Sequence, residues 1–112
     1  MILIINNLKK EIMIKLICPQ KRIESSFDCS TIEEAIDYLS QQTVLGVDTE
    51  TEGMDFTSKK LVMFQIGTKE VQYVIDARFH SLEPFREILE STSIRKIFHN
   101  VKFDYKFLKQ WY

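Results

Sequence analysis

The sequence predicts an α/β fold, in which a three-stranded antiparallel meander is followed by helix, strand and helix. The run Val44-Leu45-Gly46-Val47 has no polar alternation and reads as a strand buried on both faces. Two further runs, Leu61 to Gly67 and Val71 to Asp76, are separated by the short loop Gly67-Thr68-Lys69-Glu70, so they read as a hairpin. Apolar residues at helical spacing lie on either side of this block.

Residues 1–30 form an N-terminal arm, edge strand and connection, and residues 31–112 the main domain. Within the arm, Ile12, Ile14, Leu16 and Cys18 alternate with period two, which predicts an exposed or edge strand over Glu11–Cys18. Pro19 to Cys29 reads as a polar connection. Ser30-Thr31-Ile32-Glu33 has the form of a capping box with Ser30 as the N-cap. Ile32, Ala35, Ile36 and Leu39 follow at i, i+3, i+4 and i+7, which predicts an amphipathic helix over Thr31–Gln41. The strand Thr43–Thr49 comes next, then the polar turn Asp55–Lys60 and the hairpin. Ser81–Glu90 reads as helical, with Pro84 in its first turn and Phe85, Ile88 and Leu89 on one face. Ile94–Phe98 is a short strand, and Asn100–Trp111 a last helix.

Composition bounds the function only loosely. A chain of 112 residues is one domain at most. With 15 basic and 16 acidic residues the net charge is -1, so there is no bulk attraction for nucleic acid or for a membrane. A local basic rim can still coexist with an acidic metal site. Cys18 and Cys29 form no CxxC pair and are expected to be free thiols of a cytoplasmic protein. The apolar opening Met1–Ile5 is too short for a signal peptide or a membrane span.

Chemistry concentrates at the end of the Val44 strand. Asp48 and Glu50 alternate with Thr49, so both carboxylates point to one side of the strand, roughly 6.6 Å apart along it. Two acids at the end of a buried strand are costly without a cation or a partner. They are a hard-metal site or a structural acid pair. Asp104 shares a helical stripe with Val101, Tyr105 and Leu108, so it faces inward and needs a partner too. Its place near the start of the helix is favoured by the dipole, and Asn100 can cap that helix or present its amide to a ligand. Oxygen ligands of this kind suit Mg²⁺ or Mn²⁺. His99 reads as a satisfied histidine, and Lys102 and Lys106 as helix-surface charges.

Asp48-Thr49-Glu50-Thr51-Glu52-Gly53 resembles the first motif of the DEDD 3′–5′ exonuclease superfamily, which includes RNase D and the proofreading domain of family-A DNA polymerases. His99-Asn100-Val101-Lys102-Phe103-Asp104-Tyr105-Lys106-Phe107-Leu108 resembles its second. Leu61–Ile66 and Tyr73–Asp76 are similar to the family's second and third strands, so the resemblance covers Thr31 to Tyr112.

That resemblance implies an RNase H-like fold, present in part, and two-metal hydrolysis at the 3′ end of single-stranded DNA or RNA. It implies two divalent cations, Mg²⁺ or Mn²⁺, with Asp48 ligating both, Glu50 one of them and the attacking water, and Asp104 the second. It also implies that Thr49 offers a backbone contact near the terminal nucleotide and that Met54 wedges against its base. Asn100 and Phe103 would line the pocket of the scissile nucleotide. The family carries a fourth acid in a later Tyr-x-x-x-Asp or His-x-x-x-Asp motif, which does not occur up to Tyr112. The expectation is therefore part of an exonuclease domain, weak in metal binding by itself and self-associating through an incomplete sheet. The alternative reading is a non-catalytic nucleic-acid-binding or interaction module that keeps the fold.

Overall fold

In the computed structural model the described residues are 12–17, 28–51 and 61–98. Among the described residues six strands form one mixed sheet: β1 (Met13–Ile17), β2 (Asp28–Ser30), β3 (Val44–Thr51), β4 (Leu61–Gly67), β5 (Val71–Asp76) and β6 (Arg95–Phe98). Their order across the sheet is β2-β1-β5-β4-β3-β6. The helices are α1 (Ile32–Ser40), a 3-10 turn over Glu83–Phe85 and α2 (Arg86–Glu90). The meander is as expected: β3 and β4 pair antiparallel, and so do β4 and β5. The other pairings are parallel: β1 with β2 and with β5, and β3 with β6. Every strand but β4 therefore runs the same way, and their carboxyl ends share one end of the sheet.

The core lies on one face of the sheet. Ile17, Leu45, Val47, Phe64, Ile66, Tyr73 and Ile75 face it, and Ala35 and Leu39 of α1 with Leu82, Phe85 and Ile88 cover it. Phe64 meets Phe85 edge-on, with ring centroids 5.5 Å apart. Such a pair contributes about 0.5–1.5 kcal/mol beyond its buried area. Tyr38 ties α1 to the hairpin: its ring lies 5.9 Å from that of Tyr73, and its hydroxyl is 2.7 Å from Thr68 Oγ1. The α1 pattern read from the sequence is the one that packs, with Ala35 and Leu39 buried and Ile32 and Ile36 against the core.

Several local expectations are corrected. The α1 cap is Thr31, not Ser30: Thr31 Oγ1 accepts from the Glu34 amide at 3.1 Å. The box moves one residue along because Ser30 is the last residue of β2, buried and in register with Ile17. The stretch read as a polar connection contributes β2, so β1 has neighbours on both sides and is not an edge strand. Asp28-Cys29-Ser30 has little intrinsic strand preference, and its conformation comes from pairing with β1. Cys29 is disulfide-bonded rather than a free thiol. The register Leu16↔Cys29 brings it alongside the carboxyl end of β1, a closeness that pairing creates and sequence spacing does not announce. The segment Ser81–Glu90 opens as a 3-10 turn around Pro84 before one turn of α-helix follows. The helix expected over Asn100–Trp111 lies outside the described residues.

β3 is not buried on both faces. Leu45 and Val47 are buried on the core side, whereas Val44 is 42% exposed and Asp48 and Glu50 are half-buried and exposed. α1 and α2 pack on the Leu45 side, whereas Gln65, Gln72 and Val74 are buried on the opposite, acid-bearing face.

Candidate nuclease site

Asp48 and Glu50 project from one face of β3 near its carboxyl end, as strand alternation requires. Asp48 Oδ1 accepts the Thr49 amide N–H at 2.9 Å, which fixes the rotation of its carboxylate. Between Glu50 and Thr51 the register with β4 shifts: Glu50 faces Met63, whereas Thr51 faces Leu61. The extra residue, Val62, belongs to β4, so the irregularity lies directly across from Glu50 and Thr51.

The neighbours of the acids on this face follow from register. Asp48 is opposite Gln65, which is opposite Val74; Glu50 is opposite Met63, which is opposite Asp76. Gln65 and Gln72 are the polar residues that sequence reasoning missed. Both are almost fully buried, and Gln65 Nε2 donates to Gln72 Oε1 at 3.0 Å. Gln72 Nε2 in turn donates to the Thr68 carbonyl. The available signal was a single glutamine inside each of two apolar strand runs, which alternation places on the face opposite the core. Gly67 makes room for this pair. A Cβ there would meet the Val71 carbonyl oxygen and would come within 2.6 Å of Gln72 Nε2.

At the end of β5, Asp76 is held in the charged form. Hydrogen bonding from Arg78 pulls its carboxyl below the usual range, against the opposing effect of burial. Arg78 Nε and Nη2 reach its two oxygens at 2.9 and 2.8 Å.

The structure thus brings Asp48 and Glu50 together on one face with Thr49 between them. Asp104, Met54, Asn100 and Phe103 lie outside the described residues. Among the described residues no three metal-ligating side chains converge. The donors present are carboxylate oxygens, which fit a hard divalent cation better than a soft one.

A family model described as 3′–5′ exonuclease matches residues 23–112, which takes in the acid-bearing strand and the whole meander. The chain belongs to this 3′–5′ exonuclease family. Several solved structures share the fold. Brucella melitensis NrnC with bound Mg²⁺ has a TM-score of 0.64 at 23% identity, over 92% of this chain and 45% of that one. The catalytic core of Trypanosoma brucei RRP6 has a TM-score of 0.70 at 16% identity, over 90% of this chain and 26% of that one. Escherichia coli RNase D has a TM-score of 0.62 at 20% identity, over 70% of this chain and 21% of that one. The chain therefore spans less than half the length of these structures, and its α/β sheet is part of their RNase H-like domain. No curated protein sequence matches it.

Proposed function

We propose that this chain forms the metal-binding strand and substrate platform of a nuclease that hydrolyses single-stranded nucleic acid from the 3′ end. The observation that carries the reading is the pair Asp48 and Glu50 on one face of β3, inside the matched exonuclease segment. Asp48, Glu50 and Asp104 would hold two divalent cations, Mg²⁺ or Mn²⁺. When bound, such cations clamp the attacking and leaving oxygens of an in-line displacement. In this reading Asp48, fixed by its own bond to the Thr49 amide, is a preformed ligand. Exposed Glu50 is the carboxylate able to orient and take a proton from the attacking water. Thr49, Met54, Asn100 and Phe103 are assigned to the terminal nucleotides.

The described ligands of related structures support RNA as the first substrate to try. Brucella melitensis NrnC is described bound to pGG, and Trypanosoma brucei RNase D in complex with RNA U12. The reading also includes self-association of the chain through the open face of β3 and β6, where Val44 and Ile97 are 42% and 53% exposed.

The test is Mn²⁺ titration by calorimetry together with digestion of a 3′-labelled single-stranded RNA. Asp48→Ala should abolish the tightest metal-binding event and any turnover. Unchanged Mn²⁺ binding in Asp48→Ala would sink the metal-site assignment, whether or not the chain turns over alone.

A further inference from the structure

The turn after β5 holds the most exposed large apolar side chain among the described residues. Phe79 is 76% exposed, and it is the one aromatic among the exposed large hydrophobics. The Arg78 guanidinium lies over its ring, 5.6 Å from the centroid. Asp76 holds the Arg78 side chain and the backbone of the turn. Asp76 Oδ1 accepts the Arg78 amide at 3.0 Å, its two oxygens engage Nε and Nη2, and its carbonyl accepts the amides of Phe79 and His80 at 3.1 Å. Asp76 thus orders the turn through its carbonyl and the cation over the ring through its carboxylate.

Its position in the sheet gives this turn a meaning. β5 runs the same way as β3, so the turn emerges at the end that carries Asp48 and Glu50. Asp76 is in the same rank as Glu50, with Met63 between them. Two inter-strand steps make that lateral separation about 10 Å. Asp76 occupies Nε and Nη2 of Arg78 and leaves the Nη1 donors of the fork for a phosphate. An exposed ring beneath a guanidinium, beside an acidic hydrolytic site, is the combination that holds single strands without regard to sequence.

We propose that Phe79 and Arg78 form a stacking and phosphate-contact platform for single-stranded nucleic acid, upstream of the 3′ terminal nucleotide held at Asp48 and Glu50. This rests on the nuclease reading above and extends it by naming where the strand leaves the acids. The site is sequence-tolerant, and it is reached only by a strand longer than the terminal nucleotides.

Fluorescence anisotropy in Ca²⁺, which slows hydrolysis, tests it with a fluorescein-labelled oligouridine dodecamer and a labelled dinucleotide. Phe79→Ala should weaken dodecamer binding by roughly 5- to 100-fold, the range of one base–aromatic stack, and leave dinucleotide binding unchanged. Phe79→Trp should retain affinity, with its added emission quenched by the bound strand. Arg78→Ala should weaken dodecamer binding and flatten its salt dependence. Equal dodecamer affinity in Phe79→Ala and the parent would overturn the platform and leave the nuclease reading standing. Equal losses for both ligands would also overturn it, because the ring would then act at the acids or through the fold. A parent chain that binds neither ligand would overturn both readings.

Discussion

Replacing Gln72 by leucine probes the buried amide pair on the acid-bearing face of the sheet. Gln72 is 1% and Gln65 3% exposed, so water does not take over a lost partner at either side chain. Gln72→Leu removes the bond that Gln65 Nε2 donates and the bond that the Thr68 carbonyl accepts. The orphaned Gln65 amide costs about 1–3 kcal/mol, whereas half-buried Thr68 recovers part of its loss from solvent. A net destabilisation of about 2 kcal/mol follows. For a domain near this size each kcal/mol is worth roughly 4–8 °C, so the melting temperature should fall by about 10 °C. Replacing both partners by leucine removes the orphan, so Gln65→Leu with Gln72→Leu should cost less than the sum of the single changes. A coupling of about 1 kcal/mol or more is expected. Urea unfolding of the four proteins by circular dichroism, at one protein concentration, measures it. Additivity to within about 0.5 kcal/mol would refute the idea that the two amides depend on each other.

Gly67→Ala should destabilise by about 3 kcal/mol or more, beyond the usual cost of an overpacked core. The added methyl meets backbone, namely the Val71 carbonyl oxygen and Gln72 Cα at 2.8 Å, in the turn closed by the Thr68 N–H···O Val71 bond. A melting temperature within a few degrees of the parent would show that the hairpin yields. The Asp76–Arg78 pair predicts a pH dependence. Because Arg78 lowers the folded carboxyl below its unfolded value, this group's contribution is fully present above pH about 4 and is lost as pH falls through the folded value. The difference in urea midpoint between the parent and Arg78→Ala should therefore be level from neutral pH to about pH 5 and shrink below pH about 4. A difference that stays constant into strong acid would exclude the ion pair as its source.

Local pattern was enough for the parts of this protein whose neighbours are close in sequence. The spacing of Ile32, Ala35, Ile36 and Leu39 placed α1, and the short loop at Thr68–Glu70 placed the hairpin. Alternation placed Asp48 and Glu50 on one side of β3. The two acidic motifs led to the family that the comparison then showed for residues 23–112. Where pattern failed, a distant segment had supplied the reason. Asp28–Ser30 is a strand because β1 offers it an open edge, and that pairing moved the α1 cap from Ser30 to Thr31. The same pairing set Cys29 beside the end of β1.

What the sequence determined alone was the α/β class, the meander and the pair of carboxylates, because helix and strand periods, turn length and side-chain alternation act within a few residues. Tertiary structure decided which face those carboxylates share and with whom. Only the register of three strands places Gln65 across from Asp48 and Asp76 in rank with Glu50. Parallel running of β5 and β3 puts the Arg78–Phe79 turn at the end that carries Asp48 and Glu50. These are contacts between residues more than ten positions apart, and they exist only once the sheet has formed.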